Sequence, residues 1–165
     1  MATTEMIETT QYLTFNLAEE EFALDIAKVR EVLDYTSITK VPKMPDFLRG
    51  VINLRGNVVP VVDLRMKLGM SATEKTVNTC IVIVEITMEG ELIHMGALTD
   101  AVQEVLDLDS RQIEPPPRLG TNIRSEFIRG MGKRDDHFLI ILDIDKVLSD
   151  DDLSMLALAT EAQAA

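Results

Sequence analysis

The amino-acid sequence predicts an all-β barrel or sandwich built as two similar lobes. Three observations predict it. Short segments of strand-like alternation follow one another with turn signals between them. The line FLRGVINLRGNVVPVVDLRMKL (47–68) returns, altered but in the same order, as FIRGMGKRDDHFLIILDIDKVL (127–148). Hydrophobic residues make up 46% of the chain and aromatics only 4%, with no Trp, so the core must be aliphatic.

In chain order, YLTFNL alternates strictly: Leu13, Phe15 and Leu17 on one face, Tyr12, Thr14 and Asn16 on the other. Period two reads as a half-buried strand. AEEE is a charged turn, FALD opens the next strand, and Val29 to Asp34 is a third. KVPKMPDF carries two prolines and reads as loop. GVINL, RGN and VVPVVDL form a hairpin with a Gly-containing turn. Pro60 has no N–H to give a ladder, which argues for an edge strand or a bulge. RMKLG reads as one helical turn stopped by Gly69. The second half repeats the trace. TCIVIVEI and LIHMGALT flank MEGE, VQEVLD and a proline loop follow, and FIRGMG pairs with HFLIILDI around KRDD. SDDDLSMLALATEAQ reads as a closing helix. Ser149 or Asp150 is its expected cap, with the Asp run at the positive end of the helix dipole.

The repeat is arithmetical. Arg49 and Arg129, Asp63 and Asp143, and Leu68 and Leu148 all differ by 80. Upstream, KVREVLD matches AVQEVLD, with Val29 on Val102 and Glu31 on Glu104 at an offset of 73. The growing offset places insertions in the second copy, at the Pro- and Gly-rich EPPPRLGTN. The unit exceeds the roughly 20–50 residues of short solenoid repeats, so a duplicated small domain is the expectation.

Charge and composition narrow the function. A net charge of −12 repels phosphate backbones, so nucleic acid and anionic membrane are poor partners. Cys80 is the single cysteine, and one thiol makes no intrachain disulfide. MATTEMIETTQ has neither the basic nor the apolar region of a secretory signal, and no apolar run reaches membrane-helix length. A cytoplasmic protein is expected. His94, His137 and Cys80 do not assemble the ligand set of a zinc site, and DLDSR and DIDK lack the Gly and terminal Glu of a calcium loop. No phosphate-binding or nucleophile-elbow motif is present. Cys80 lies in an apolar strand, where a thiol is usually inert packing. An enzyme using Cys80 therefore stands as the weaker alternative.

The copies agree in framework and differ at the hairpin tip. Asn53 aligns with Lys133, Arg55 with Asp135, Gly56 with Asp136 and Asn57 with His137. Divergence there fits a lobe-specific surface, or ordinary drift at an exposed turn. Gly56 permits a positive φ, which sets Arg55 at a sharp corner. Glu31 is the candidate acidic partner for Arg55. A solvated surface charge of little energetic value is the plainer reading of Arg55.

FALDIAKVREVLD, FLRGVINLRGNVVPVVDLR and RQIEPPP resemble the CheW family of bacterial chemotaxis coupling proteins, over about Tyr12 to Leu148. The resemblance implies two SH3-like five-stranded β-barrel lobes sharing an apolar core, with a short C-terminal helix. It divides the chain into a flexible N-terminus (1–10), a CheW-like domain (11–149) and a C-terminal helix and tail (150–165). Lobe one spans about 11–75 and lobe two about 76–149, mixed by strand exchange. The implied role is non-enzymatic, with no cofactor and no metal. Such proteins bridge the cytoplasmic tips of methyl-accepting chemoreceptors to the regulatory domain of the histidine kinase CheA. In the membrane receptor array they alternate with that domain, and other CheW copies join the rings. Membrane insertion is not implied. The chain is too short for the kinase's other domains or a fused receiver, so a stand-alone coupler is expected. By position, the resemblance implies a receptor-facing surface of Val29, Glu31, Gly50, Asn53, Arg55 and Gly56, and a CheA-facing one including Val102 and Met131. A coupler of a chemotaxis-like pathway that controls pili or another output is the remaining alternative.

Overall fold

Eleven described strands fall into two sheets. The computed structural model describes residues 9–88, 90–115, 125–134 and 137–164. In chain order these form β1 (Thr9–Leu17), β2 (Glu20–Asp25), β3 (Val29–Asp34), β4 (Leu48–Leu54), β5 (Asn57–Asp63), α1 (Leu64–Lys67), β6 (Cys80–Met88) and β7 (Glu91–Thr99). Then follow β8 (Ala101–Asp109), β9 (Ile113–Glu114), β10 (Ile128–Arg134), β11 (His137–Leu142), α2 (Ile144–Val147) and α3 (Asp150–Ala164). One sheet runs β8-β1-β2-β11-β10-β9 and the other β3-β6-β7-β5-β4. The fold is mainly β, as the alternation predicts. Residues 116–124, within the proline loop, and the tip pair Asp135 and Asp136 lie outside the described residues.

Each sheet is assembled from both halves of the chain. The five-stranded sheet takes β3, β4 and β5 from the first half and the β6–β7 hairpin from the second. The six-stranded sheet takes β8 to β11 from the second half and the β1–β2 hairpin from the first. The two joins are equivalent parallel pairings. Val61, Val62 and Asp63 pair with Gly96, Ala97 and Leu98, while Ile140 and Ile141 pair with Phe22 and Ala23. The repeated line folds the same way twice. A register shift falls between Leu48 and Gly50 in β4 and between Ile128 and Gly130 in β10. The Asp63 N–H donates to Phe47 O at 2.7 Å, and the Asp143 N–H to Phe127 O at 2.9 Å.

Pro60 corrects one sequence expectation. Its strand, β5, is interior, between β7 and β4, and the register shift lies elsewhere. The proline is tolerated because the ladder to β7 takes up Val61–Asp63, just past the missing N–H.

Three apolar clusters follow from the alternation. Ile52, Val61, Ile81 and Leu98 fill the five-stranded sheet, and Tyr12, Leu108, Leu139 and Ile141 fill the six-stranded one. The largest lies between them and draws on both, with Phe15, Leu17, Phe22, Val62, Val84, Ile86, Met95 and Leu142 buried together. The Phe15 and Phe22 rings stack at 6.0 Å. The six-stranded sheet curls until β10, one strand in from its edge, meets the end strand β8. A Cβ at Gly132 on β10 would stand 2.8 Å from Leu108 on β8. Among the described residues no ladder closes either barrel.

The closing helix is capped as its sequence suggests. Ser149 Oγ accepts from the Asp152 N–H at 3.1 Å, and the Asp152 carboxylate accepts from the Ser149 N–H at 2.9 Å. Lys67 Nζ reaches the same carboxylate at 2.6 Å. Burial would push the Asp152 carboxyl up, but Lys67 and Ser149 together hold it below its ordinary value. Leu153 and Leu156 anchor the helix in the central cluster.

Shared framework residues do different work in the two copies. Asp63 is fully buried. It accepts from Arg49 at 2.9 Å, the Thr73 N–H at 2.9 Å, Thr73 Oγ1 at 2.8 Å and the Arg65 N–H at 3.1 Å. That one carboxylate caps α1 and ties down the linker toward β6. Asp143 caps nothing with its side chain. We expect Asp63→Ala to cost about 3 kcal/mol in urea unfolding, since it strands buried donors, and Asp143→Ala much less. Gly50 has φ 143°, and a Cβ there would lie 2.1 Å from Thr39 O. At Gly130 the nearest atom is a side-chain methyl of Ile113 at 2.7 Å. Gly50→Ala should therefore lower the unfolding midpoint severely, by more than about 3 kcal/mol, and Gly130→Ala less.

Candidate partner-binding site

The β4–β5 turn is built by two residues of positive φ. Arg55 has φ 50° and Gly56 φ 88°, the mirror-image turn that matches strand twist. Glycine takes this conformation freely; Arg55 takes it at a steric cost. Asn53 steadies the turn, its Oδ1 accepting from the Gly56 N–H at 2.8 Å. The result is a corner with Arg55 about 70% exposed.

Arg55 reaches across to β3. Its Nη1 donates to Glu31 Oε2 at 3.4 Å, and Nη2 makes a closer bond to Oε1. The pair links the turn to the end strand at the sheet's opposite side, so it spans the open seam of the barrel. The Arg55 hydrogen bond holds the Glu31 carboxyl below its ordinary value, against partial desolvation. A groove of about 210 Å³ runs beside the pair, floored by Leu54, Val59 and Ile83 and edged by Arg30, Asn57 and His94. Glu85 takes Arg30 at 3.4 Å and lies 3.4 Å from His94 Nε2, so the rim is polar.

The structure groups four of the expected residues and separates the rest. Glu31, Asn53, Arg55 and Gly56 meet at this corner. Gly50 is buried beneath Thr39 and presents no surface of its own. Val29, Val102 and Met131 are half-buried against the central cluster, Val29 two residues before Glu31 on β3. Val29 and Val102, aligned by the repeat, thus flank the same core from different sheets.

The second copy has a seam pair the sequence reading missed. Arg134 of β10 reaches Glu104 of β8 at 2.5 Å. Glu104 is the repeat partner of Glu31, so the carboxylate position was legible. The arginine was not, because it stands one place before the residue aligned with Arg55. His94 and Glu85 were missed for another reason: β6 and β7 reach this groove only by tertiary pairing.

Cys80 has none of the setting of a nucleophile. Burial raises its thiol above the ordinary value, and Sγ donates to Asn78 O at 3.3 Å. Among the described residues no cluster of His, Cys, Asp and Glu is placed to hold a metal ion, and no helix is long and apolar enough to cross a membrane.

The pH dependence of the corner has a definite sign. A depressed folded-state carboxyl contributes stability above its unfolded value and loses it as pH falls through the folded one. The Arg55–Glu31 link should therefore persist at neutral pH and fail only in acid, below the ordinary carboxylate range. In Arg55→Ala the Glu31 titration, followed by carboxyl NMR, should move up toward its ordinary value while the unfolding midpoint barely changes. An unmoved Glu31 titration would refute the pair.

The CheW-like domain model matches residues 11–152. A chemotaxis protein CheW from Klebsiella aerogenes is 34% identical over 146 residues, covering 88% of this chain and 86% of that protein. One from Thermotoga maritima is 35% identical, covering 85% and 88%. The crystal structure of the scaffolding protein TtCheW from Thermoanaerobacter tengcongensis superposes with a TM-score of 0.77 at 40% identity, over 86% of this chain and 94% of that one. The chain, with its two sheets, shared core and Arg55 corner, belongs to the CheW-like domain family.

Proposed function

We propose that this chain is a non-enzymatic chemotaxis adaptor. It links the cytoplasmic tips of methyl-accepting chemoreceptors to the regulatory domain of CheA and helps assemble the membrane-associated array. The observation that carries the reading is the Arg55–Glu31 corner: an exposed, strained, charge-paired turn, in a chain of a family whose relatives are named for chemotaxis. A framework needs no such corner. Its pairing is solvent-exposed and adds little to stability, while strain held in the backbone points to function.

In this reading the receptor's helical hairpin lays an apolar stripe beside the corner, in a helix-in-groove contact. Glu31, Asn53, Arg55 and Gly56 form that side, and Val29, two residues before Glu31 on β3, borders it. Gly50 serves it indirectly, by fixing the hairpin's register. Val102 and Met131 belong to the CheA side. Each contact is weak alone, and the lattice raises its effective concentration. Coupling then requires contacts that differ between receptor signalling states.

Calorimetric titration against the CheA regulatory domain and a receptor-tip fragment tests the proposal. Binding at a roughly micromolar Kd, about −8 kcal/mol, is expected for at least one of them. Arg55→Ala should weaken receptor binding about tenfold and leave the fold intact. No binding to either partner by a folded protein would overturn the adaptor reading; normal binding by Arg55→Ala would overturn the role of the corner.

A further inference from the structure

A second surface, away from the Arg55 corner, carries an unbalanced charge. The proline loop between β3 and β4 and the helix α1 border a groove of about 510 Å³. Val41, Met44, Leu48 and Met66 give it an apolar lining, and Lys40 and Lys43 stand on its rim. Asp46 is the one carboxylate among the lining residues, and Arg49 is already engaged by Asp63.

The two lysines are exceptional among the described cations. Acidic residues number 28 against 16 basic ones, so a cation here is normally taken. Every other described lysine or arginine faces a carboxylate or, for Lys75, the Tyr35 ring. Lys40 and Lys43 make no ion pair among the described residues, and both are exposed. Lys43 is held at φ 63°, a conformation that costs a non-glycine residue energy. Pro42 and Pro45 stiffen the loop on either side, so little ordering remains to be lost on binding.

We propose that this groove docks a partner-protein segment that carries carboxylates on both sides of one or two aliphatic side chains. The aliphatic side chains meet Val41, Met44 and Met66, and the carboxylates meet the Lys40 and Lys43 ammonium groups. A polyphosphate or nucleic acid is disfavoured by the charge of the whole chain, −12, whereas a short acidic peptide feels mainly the local pair. The inference is independent of the adaptor reading, since it uses a different surface.

The test is an NMR titration of the full-length, isotope-labelled chain with the acetylated, amidated peptide EELLEE, alongside QQLLQQ and inorganic phosphate. Saturable shifts centred on the amides of Val41, Lys43, Met44 and Asp46, weakened by salt and absent with QQLLQQ, are expected. Lys40→Glu with Lys43→Glu should lower the affinity at least about tenfold, Lys43→Gln by less, and Arg55→Ala not at all. Shifts scattered over other basic residues would overturn the proposal. So would the same shifts produced by phosphate alone, which would mark a simple anion site. A dimer seen in sedimentation and abolished by the double substitution would equally overturn it, by making the groove a contact between copies.

Discussion

Neither half of this chain can complete a sheet by itself. β5 and β11 each present an edge whose backbone groups must be paired, and each is paired by the leading hairpin of the other half. An unpaired buried strand edge is costly, so the exchange binds the lobes more firmly than surface contact would. It also brings the apolar faces of β1, β2, β6 and β7 together. That is why the largest cluster lies between the sheets rather than inside either. The rest of the structure is arranged around this constraint. The lobes cannot part without breaking ladders, so the two candidate partner faces are held at a fixed separation.

The duplicated line shows how one local pattern is put to different uses. Both copies make the same register shift, the same Asp N–H bond and the same helical turn. In the first, Arg49 and Asp63 close over Thr73 and bury a charge that is fully hydrogen-bonded. In the second, Arg129 turns instead to Asp25 at 3.9 Å and Asp143 faces Lys146 at 3.9 Å, both loose and partly exposed. The difference follows from what comes next. The first copy must hold a linker that leads to β6, and the second leads directly into a helix with its own cap.

Seam pairs appear at the open side of both barrels. Arg55–Glu31 joins the turn beside edge strand β4 to end strand β3, and Arg134–Glu104 joins the end of β10, one strand in from β9, to end strand β8. Exposed pairs of this kind add little to stability. Their value lies in geometry: a guanidinium fork fixes direction as well as distance. At the first seam the strained turn and the bordering groove turn that geometry into a surface of definite shape.

Much of this was legible in the sequence because it depends on short-range rules. Period-two alternation marked β1, and short strand-like runs between turn signals marked β3 and the hairpins. Proline and glycine marked the loops, and Ser149 with the Asp run after it marked the helix start. The repeat marked the duplication, and Glu31 with Arg55 marked a corner. Tertiary structure alone decided the rest. Pro60 sits in an interior strand because the neighbouring ladder starts one residue later. Gly50 is framework rather than surface because Thr39 folds over it. Arg134 answers Glu104 because β8 lies within reach of the last position of β10, where the first copy has Leu54. The isolation of Lys40 and Lys43 is visible only once every other described cation has found its partner. These outcomes depend on which strands meet across long stretches of chain, and local propensity carries no information about that choice.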